Sequence, residues 1–293
     1  MSHVQGLHHV TAMASDARAT DAFHAGTLGL RRVKKTVNFD APEVYHLYYG
    51  DRTGTPGTVM THFPFPRMTR GARGSGEVGR VAYAVPDLAP WRDRVGGSPA
   101  ERFGEPALDL EGPDGEAISL VQTDDPRAPW TALPEGMAIR GVHAVTARVA
   151  DPEPTRALLR FMGYRDGPEE GGRTRMLAPG HGHVDVERTD MPPARQGAGS
   201  VHHIAFRVPD RAAQDEMRAR LIEAGARVTP PIDRDYFWAI YFMTPGGILF
   251  EIATDEPGFT RDEPVETLGR SLRLPAQHAR LRERLERTLP PLD

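Results

Sequence analysis

The chain has 293 residues, 39% hydrophobic and 26% charged, with a formal net charge of −4, 12 histidines and no cysteine. Such a balance is globular, with no Lys/Arg block of the kind that grips nucleic acid and no apolar run of the ~18–20 residues a membrane span needs. The lack of cysteine excludes disulfides, thiolate nucleophiles, zinc ribbons and iron–sulfur clusters, so any metal must be held by His, Asp, Glu or oxygen donors.

Four copies of one unit follow in chain order. Unit one, residues 6–66, opens with a strand at 7–13 and a helix at 17–27. Strands at 31–39, 44–49 and 58–63 follow, the last after an Asp-, Gly- and Pro-containing turn at 51–57. Unit two, residues 77–123, has a strand at 79–85, a short helix at 88–95, the turn Pro113-Asp114-Gly115 and a closing strand at 117–121. A Pro- and acid-rich linker comes next. Unit three, residues 139–189, has a strand at 142–149, a helix at 154–162 stopped by Gly163, and a strand at 183–188. Unit four, residues 199–254, has a strand at 201–208, a helix at 211–224 stopped by Gly225, the turn Thr244-Pro245-Gly246-Gly247 and a closing strand at 248–253. Beyond Gly258 the chain is polar, and residues 277–288 read as an exposed helix with Arg282–Glu286 as an i,i+4 pair.

Each unit therefore reads as a strand, a helix and three strands, with one apolar sheet face that it cannot bury alone. Paired units curl around a shared cup, whose concave side takes a small ligand. The expected fold is α+β: four βαβββ modules forming two cup-shaped mixed β-sheets. The expected division is 1–124 (modules one and two), a linker at 125–138, 139–256 (modules three and four) and a tail at 257–293. The absence of cysteine makes a reducing cytoplasm the expected compartment.

Aligning the units locates a site. The first strands of units one and four contain His8-His9 and His202-His203, and in each the second His stands seven residues before an Asp that leads into a helix. At the second-His position units two and three have Arg80 and Ala144; at the first-His position they have Gly79 and His143. Counting from the last turn glycine, Glu251 lines up with Thr61, Ser119 and Val186, so a closing-strand carboxylate is expected in unit four alone. A carboxylate in the apolar run 248–253 is costly to bury unless it is paired or binds metal. Arg234 or Arg207 could pair with it, and a lone strand His is more often structural than a ligand. The coincidence at matching repeat positions favours a metal instead. His9, His203 and Glu251 form a two-nitrogen, one-oxygen set that leaves open positions and suits Fe(II). Because successive strand residues face opposite ways, His8 and His202 are expected to support rather than ligate.

The chain resembles the hydroquinone-type ring-cleaving dioxygenases of the vicinal oxygen chelate superfamily. The resemblance rests on residues 6–11 (GLHHVT), 34–40 (KKTVNFD), 45–51 (YHLYYGD), 54–61 (GTPGTVMT), Val201-His202-His203 and 244–251 (TPGGILFE). It implies a mononuclear Fe(II) or Mn(II) on His9, His203 and Glu251, with O2 and a small aromatic diol, hydroquinone or catechol, as reactants. It places supporting roles on His8, Thr11, His202, Arg234 and Tyr241. His202 or His8 could give a proton, Arg234 could stabilise developing negative charge, and Tyr241 could hydrogen-bond a substrate oxygen. No nucleic acid or membrane partner is expected, and a homo-oligomer is compatible with the sequence. The alternatives are a glyoxalase-like metal-dependent isomerase or lyase, disfavoured because Thr61 stands where a second carboxylate would be, and a non-catalytic small-molecule-binding protein on the same fold.

Overall fold

The computed structural model describes residues 4–130 and 132–292. Module one carries β1 (Leu7–Ala14), α1 (Ala17–Asp21) continued by a π-helical turn (Ala22–Thr27), β2 (Arg31–Val37), β3 (Tyr45–Gly50) and β4 (Val59–Pro64). Module two carries β5 (Glu77–Val85), α2 (Ala89–Val95), β6 (Ser98–Arg102), β7 (Glu105–Glu111) and β8 (Ala117–Gln122). Module three carries β9 (Gly141–Val149), α3 (Pro152–Met162), β10 (Arg165–Glu170), β11 (Arg173–Leu177) and β12 (His183–Arg188). Module four carries β13 (Val201–Val208), α4 (Arg211–Glu223), β14 (Ile232–Asp233), β15 (Phe237–Met243) and β16 (Leu249–Pro257). The aspartates after the first strands are helix caps: Asp16, Asp151 and Asp210 accept from the backbone N–H of Ala19, Glu153 and Ala213, satisfying donors that a helix start leaves orphaned.

The strands form two curled mixed sheets, ordered β14-β15-β16-β13-β1-β4-β3-β2 and β10-β11-β12-β9-β5-β8-β7-β6. Module one thus pairs with module four and module two with module three, all within one chain. The grouping by chain halves, 1–124 and 139–256, follows sequence order; the hydrogen bonding takes one module from each half into each sheet. The segments that cross between sheets run side by side, bridged at Arg70–Ala198, Ala72–Arg195 and Ser75–Pro193.

Where the halves of each sheet meet, both strands carry a bulge. Along β1 and β13 the register leaves His8 and His202 as extra residues. Along β5 and β9 the extra residues are Gly79 and His143. These are the four positions that precede His9, His203, Arg80 and Ala144. A bulge breaks strand alternation and re-aims its side chain, so the two-face rule does not govern the paired histidines. Elsewhere alternation holds. Val10, Ala12, Ile204, Phe206, Phe250 and Ile252 face the main apolar core, together with Met217 and Leu221 of α4.

The tail is less solvated than its polarity suggests. Buried Lys34 of β2 reaches Asp262 at 2.6 Å and Glu263 at 2.5 Å, and Phe259 and Leu268 pack with Val33, Tyr48 and Phe237. The terminal helix is α5 (Arg282–Thr288), preceded by a 3-10 stretch (Ala276–Leu281). It keeps an exposed face and the Arg282–Glu286 pair at 2.9 Å. Its other side is buried through Leu285 and Leu289, which continue a four-residue spacing from Leu281.

Candidate metal centre

β1, β13 and β16 are neighbours, with Thr11 opposite His203 and Ala205 opposite Glu251. This register brings His9, His203 and Glu251 to one face of three adjacent strands. His203 Nε2 lies 2.9 Å and His9 Nε2 3.6 Å from Glu251 Oε2, and the two Nε2 atoms are 3.3 Å apart. All three residues are buried, and among the described residues they are the one His/Asp/Glu group whose ligand atoms converge. Ligands about 2.0–2.2 Å from one ion on adjacent coordination positions stand about 3 Å apart, so the separations fit a single cation.

The hydrogen bonds behind the imidazoles set their tautomers. His8 Nε2 donates to the Thr254 carbonyl at 3.1 Å, leaving its Nδ1 to accept from His9 Nδ1 at 2.8 Å. His9 then aims an Nε2 lone pair at the centre. Burial, then the nearby His9, hold His8 neutral by lowering its pKa to about 3. The second pair makes the same contact, with His202 Nδ1 and His203 Nδ1 at 2.8 Å. Burial, then His203, push the His202 pKa down to about 4. A neutral His202 that accepts at Nδ1 carries its proton on Nε2.

Charge and hydrogen bonding also fit a cation. Burial opposes ionisation of Glu251, yet attraction to His9 and His203 carries its pKa well below the usual carboxylate range. Burial also lowers the pKa of His203. A cation at this point would meet the buried carboxylate with positive charge. Among the described residues Glu251 Oε1 is moreover buried without a hydrogen-bond partner, an orphaned acceptor that a cation would satisfy.

The centre opens into a cavity of about 450 Å³, within the range of small-molecule sites. Its walls are largely aromatic, with Phe39, Tyr48, Phe63, Phe237 and Tyr241 around the polar groups. Arg234 donates from Nε to the Tyr241 hydroxyl at 3.1 Å and stacks 5.3 Å over both Phe39 and Tyr241. Its ion pair is with Asp40 at 3.7 Å, not with the adjacent Asp233 or Asp235. Burial, then Glu251, hold the Tyr241 hydroxyl protonated by raising its pKa well above 10.

Of the residues singled out in the sequence, His9, His202, His203, Arg234, Tyr241 and Glu251 line this cavity. Thr11 is fully buried beside it and accepts from the Thr61 hydroxyl at 2.9 Å. His8 sits behind His9. The expectation that His202 turns away from the cup is corrected by its bulge. The expectation that the closing-strand carboxylate is confined to unit four is corrected too: sheet register matches Glu251 opposite Ala205 to Asp185 opposite Thr146, not to Val186. The turn before β12 is one residue out of step with the others, so counting from its glycine slips the alignment. His46 and Tyr48, also on the wall, went unassigned, although their i,i+2 spacing in the strand at 44–49 places both on one face.

The Glyoxalase/Bleomycin resistance protein/Dioxygenase superfamily model matches residues 141–252. MhqO of Bacillus subtilis (strain 168), named provisionally as a ring-cleaving dioxygenase, is 40% identical over 98% of this chain and 96% of its own length. The chlorohydroquinone/hydroquinone 1,2-dioxygenase of Sphingobium indicum is 33% identical over 98% of this chain and 96% of its own. A crystal structure of a provisionally named Bacillus subtilis dioxygenase superposes with a TM-score of 0.97 at 38% identity, covering 100% of this chain and 99% of that one. Glyoxalase I from Zea mays shares the fold at 13% identity and TM-score 0.64, over 85% of this chain and 92% of its own. Full-length likeness of this degree establishes that the chain belongs to the ring-cleaving dioxygenases of the glyoxalase/bleomycin resistance protein/dioxygenase superfamily.

Proposed function

We propose that the protein opens the ring of a small aromatic diol, of hydroquinone or catechol type, using O2 and an Fe(II) or Mn(II) held by His9, His203 and Glu251. The observation that carries this reading is the buried His–His–Glu cluster, with one carboxylate oxygen unsatisfied, at the floor of an aromatic cavity. Held by these three residues, the metal would supply Lewis-acid and redox chemistry toward a substrate oxygen and O2.

The chain's own residues then have distinct tasks. His8 and His202 keep the ligand imidazoles in the tautomer that points Nε2 at the metal. His202 also presents its Nε2–H to the cavity, where it can donate to a substrate oxygen. Arg234 stays cationic and stabilises negative charge that develops on the ring oxygens. Tyr241 accepts from Arg234, so its own proton is free for a substrate oxygen or for Glu251. Thr11 supplies a further hydroxyl. Phe39, Phe63 and Phe237 exclude water and hold the ring. The isomerase alternative lacks support: the position that would need a second carboxylate is Thr61, which donates to Thr11.

The test is anaerobic reconstitution with Fe(II), followed by oxygen uptake on hydroquinones and catechols. The expected outcome is diol-dependent uptake with a ring-opened product. Iron bound at one per chain with no uptake on any diol would overturn the dioxygenase reading.

A further inference from the structure

We propose that Gln277 and His278 of the tail are positioning residues for the substrate: by gripping the Phe39 carbonyl they hold the Phe39 ring in the cavity wall beside Arg234. The substrate class rests on the dioxygenase reading above; the grip itself does not. Gln277 Nε2 donates to the Phe39 carbonyl at 3.1 Å, and His278 Nε2 reaches the same oxygen at 2.8 Å. A carbonyl only accepts, so His278 presents its Nε2–H.

The turn between β2 and β3 reaches the cavity as a group, with Asn38, Phe39, Asp40 and Ala41 all lining it. It is closed from within, because Asn38 Oδ1 accepts from the backbone N–H groups of Asp40 and Ala41 at 2.8 and 3.2 Å. That closure shapes the turn but does not tie it down over the cavity. β2 is the edge strand of its sheet, and the tail runs along its outer side. Leu272 bridges to Lys35, and the Arg273 backbone N–H donates to the Lys35 carbonyl at 2.9 Å. The 3-10 stretch that follows brings Gln277 and His278 to Phe39.

Fixing the carbonyl fixes its peptide plane and leaves the Phe39 ring only its side-chain rotamers. The ring lies 5.3 Å from the Arg234 guanidinium, where it shields one face of the cation from water. A ring free to swing away would widen the cavity and hydrate Arg234, weakening its pull on a ring oxygen. The tail stays in place without this grip. Lys34 holds Asp262 and Glu263, Tyr45 donates to the Pro290 carbonyl at 3.0 Å, and Leu285 is buried. Gln277 is exposed and His278 half-buried, so cutting the grip frees Phe39 and spares the fold.

The experiment removes both donors, Gln277→Ala with His278→Ala, in protein loaded anaerobically with Fe(II), and follows binding of 4-nitrocatechol by its absorbance. The dissociation constant is expected to rise about tenfold, the scale of one lost aromatic contact, with iron stoichiometry and denaturation midpoint unchanged. For a diol that is cleaved, KM is expected to rise by the same factor while kcat stays within about twofold. Gln277→Ala with His278→Gln returns one donor and is expected to recover most of the affinity. Phe39→Ala tests the route: in that background the two alanines should add no further loss, because all three residues act through one ring. Gln277→Ala alone, with a smaller rise, replaces the pair should the double variant not fold. An unchanged dissociation constant after both donors are removed, or an equally large further loss in Phe39→Ala protein, overturns the proposal. If wild type cleaves no diol yet the constants move as expected, the dioxygenase reading fails and the grip stands. If it cleaves diols while the constants do not move, the grip alone fails. A wild type that neither binds the probe nor cleaves a diol overturns both.

Discussion

The two cups bury a carboxylate at the same register position and satisfy it in different ways. Glu251 in the first sheet and Asp185 in the second stand opposite equivalent residues of β13 and β9, Ala205 and Thr146. On the other side Glu251 faces Tyr241, whereas Asp185 faces Arg175. Arg175 holds Asp185 through Nε at 2.7 Å and Nη2 at 3.0 Å, and it also reaches Glu105, which His143 meets at 2.9 Å. At the position of His9 the second cup has Arg80, paired with Asp109 at 3.0 Å, and Asp109 in turn stands where the first cup has Tyr48. At the position of His203 it has Ala144. The second cup is thus closed by arginines, each carboxylate answered by a guanidinium. The first keeps one carboxylate, two imidazoles and a cavity. Side-chain exchanges at five matching positions separate a sealed ionic core from a candidate metal site.

Removing a proposed ligand is the largest way to break this contrast. His203→Ala leaves Glu251 with one imidazole and Ala144-like space at the second position. The expected result is loss of stoichiometric iron after gel filtration, with oxygen uptake down at least about a thousandfold, since the chemistry depends on the metal. Iron retained at one per chain would refute the triad. The corresponding cut in the second cup is Arg175→Met, which keeps an unbranched apolar stem and removes the guanidinium with its charge. It leaves Asp185 buried without its partner, and breaking a buried pair on one side costs about 3–5 kcal/mol. Chemical denaturation should show that loss in Arg175→Met protein that still binds one iron. A loss below about 1 kcal/mol would mean that the second cup does not depend on its ion pairs.

Much of this was legible because repeats compare a protein with itself. Strand–helix punctuation at Asp16, Asp151 and Asp210 located the modules, and the inequality of His9, Arg80, Ala144 and His203 located the site. The shared histidines of units one and four required those two units to meet, and β1 pairs with β13. Two things were not legible. The bulges at His8 and His202 are irregularities of two paired strands, so alternation within one strand misjudged the aim of His202. Asp185 was hidden by a one-residue change in a turn, because a turn glycine marks loop geometry and not strand register. The buried side of α5 was readable in Leu281, Leu285 and Leu289 but masked by the charges between them.

The smallest expected effect concerns the arginines. Arg175 is buried between Asp185 and Glu105, while among the described residues Arg234 in the first cup has only Asp40 as its ion-pair partner, at 3.7 Å, and Asp40 is 84% exposed. An exposed pair of this kind is worth about 0.2–1 kcal/mol, because water and salt screen it and side-chain entropy opposes it. The stacking of Arg234 on Phe39 and Tyr241 and its bond to the Tyr241 hydroxyl do not involve Asp40. Asp40→Asn should therefore change stability by less than about 1 kcal/mol, leave iron binding intact and keep Arg234 in place. That outcome, measured by the same denaturation as Arg175→Met, marks Arg234 as a cation whose charge is held for a ligand. A loss as large as that of Arg175→Met would mean that Arg234 is spoken for within the protein, and the contrast between an open and a closed cup would then rest on the histidines alone.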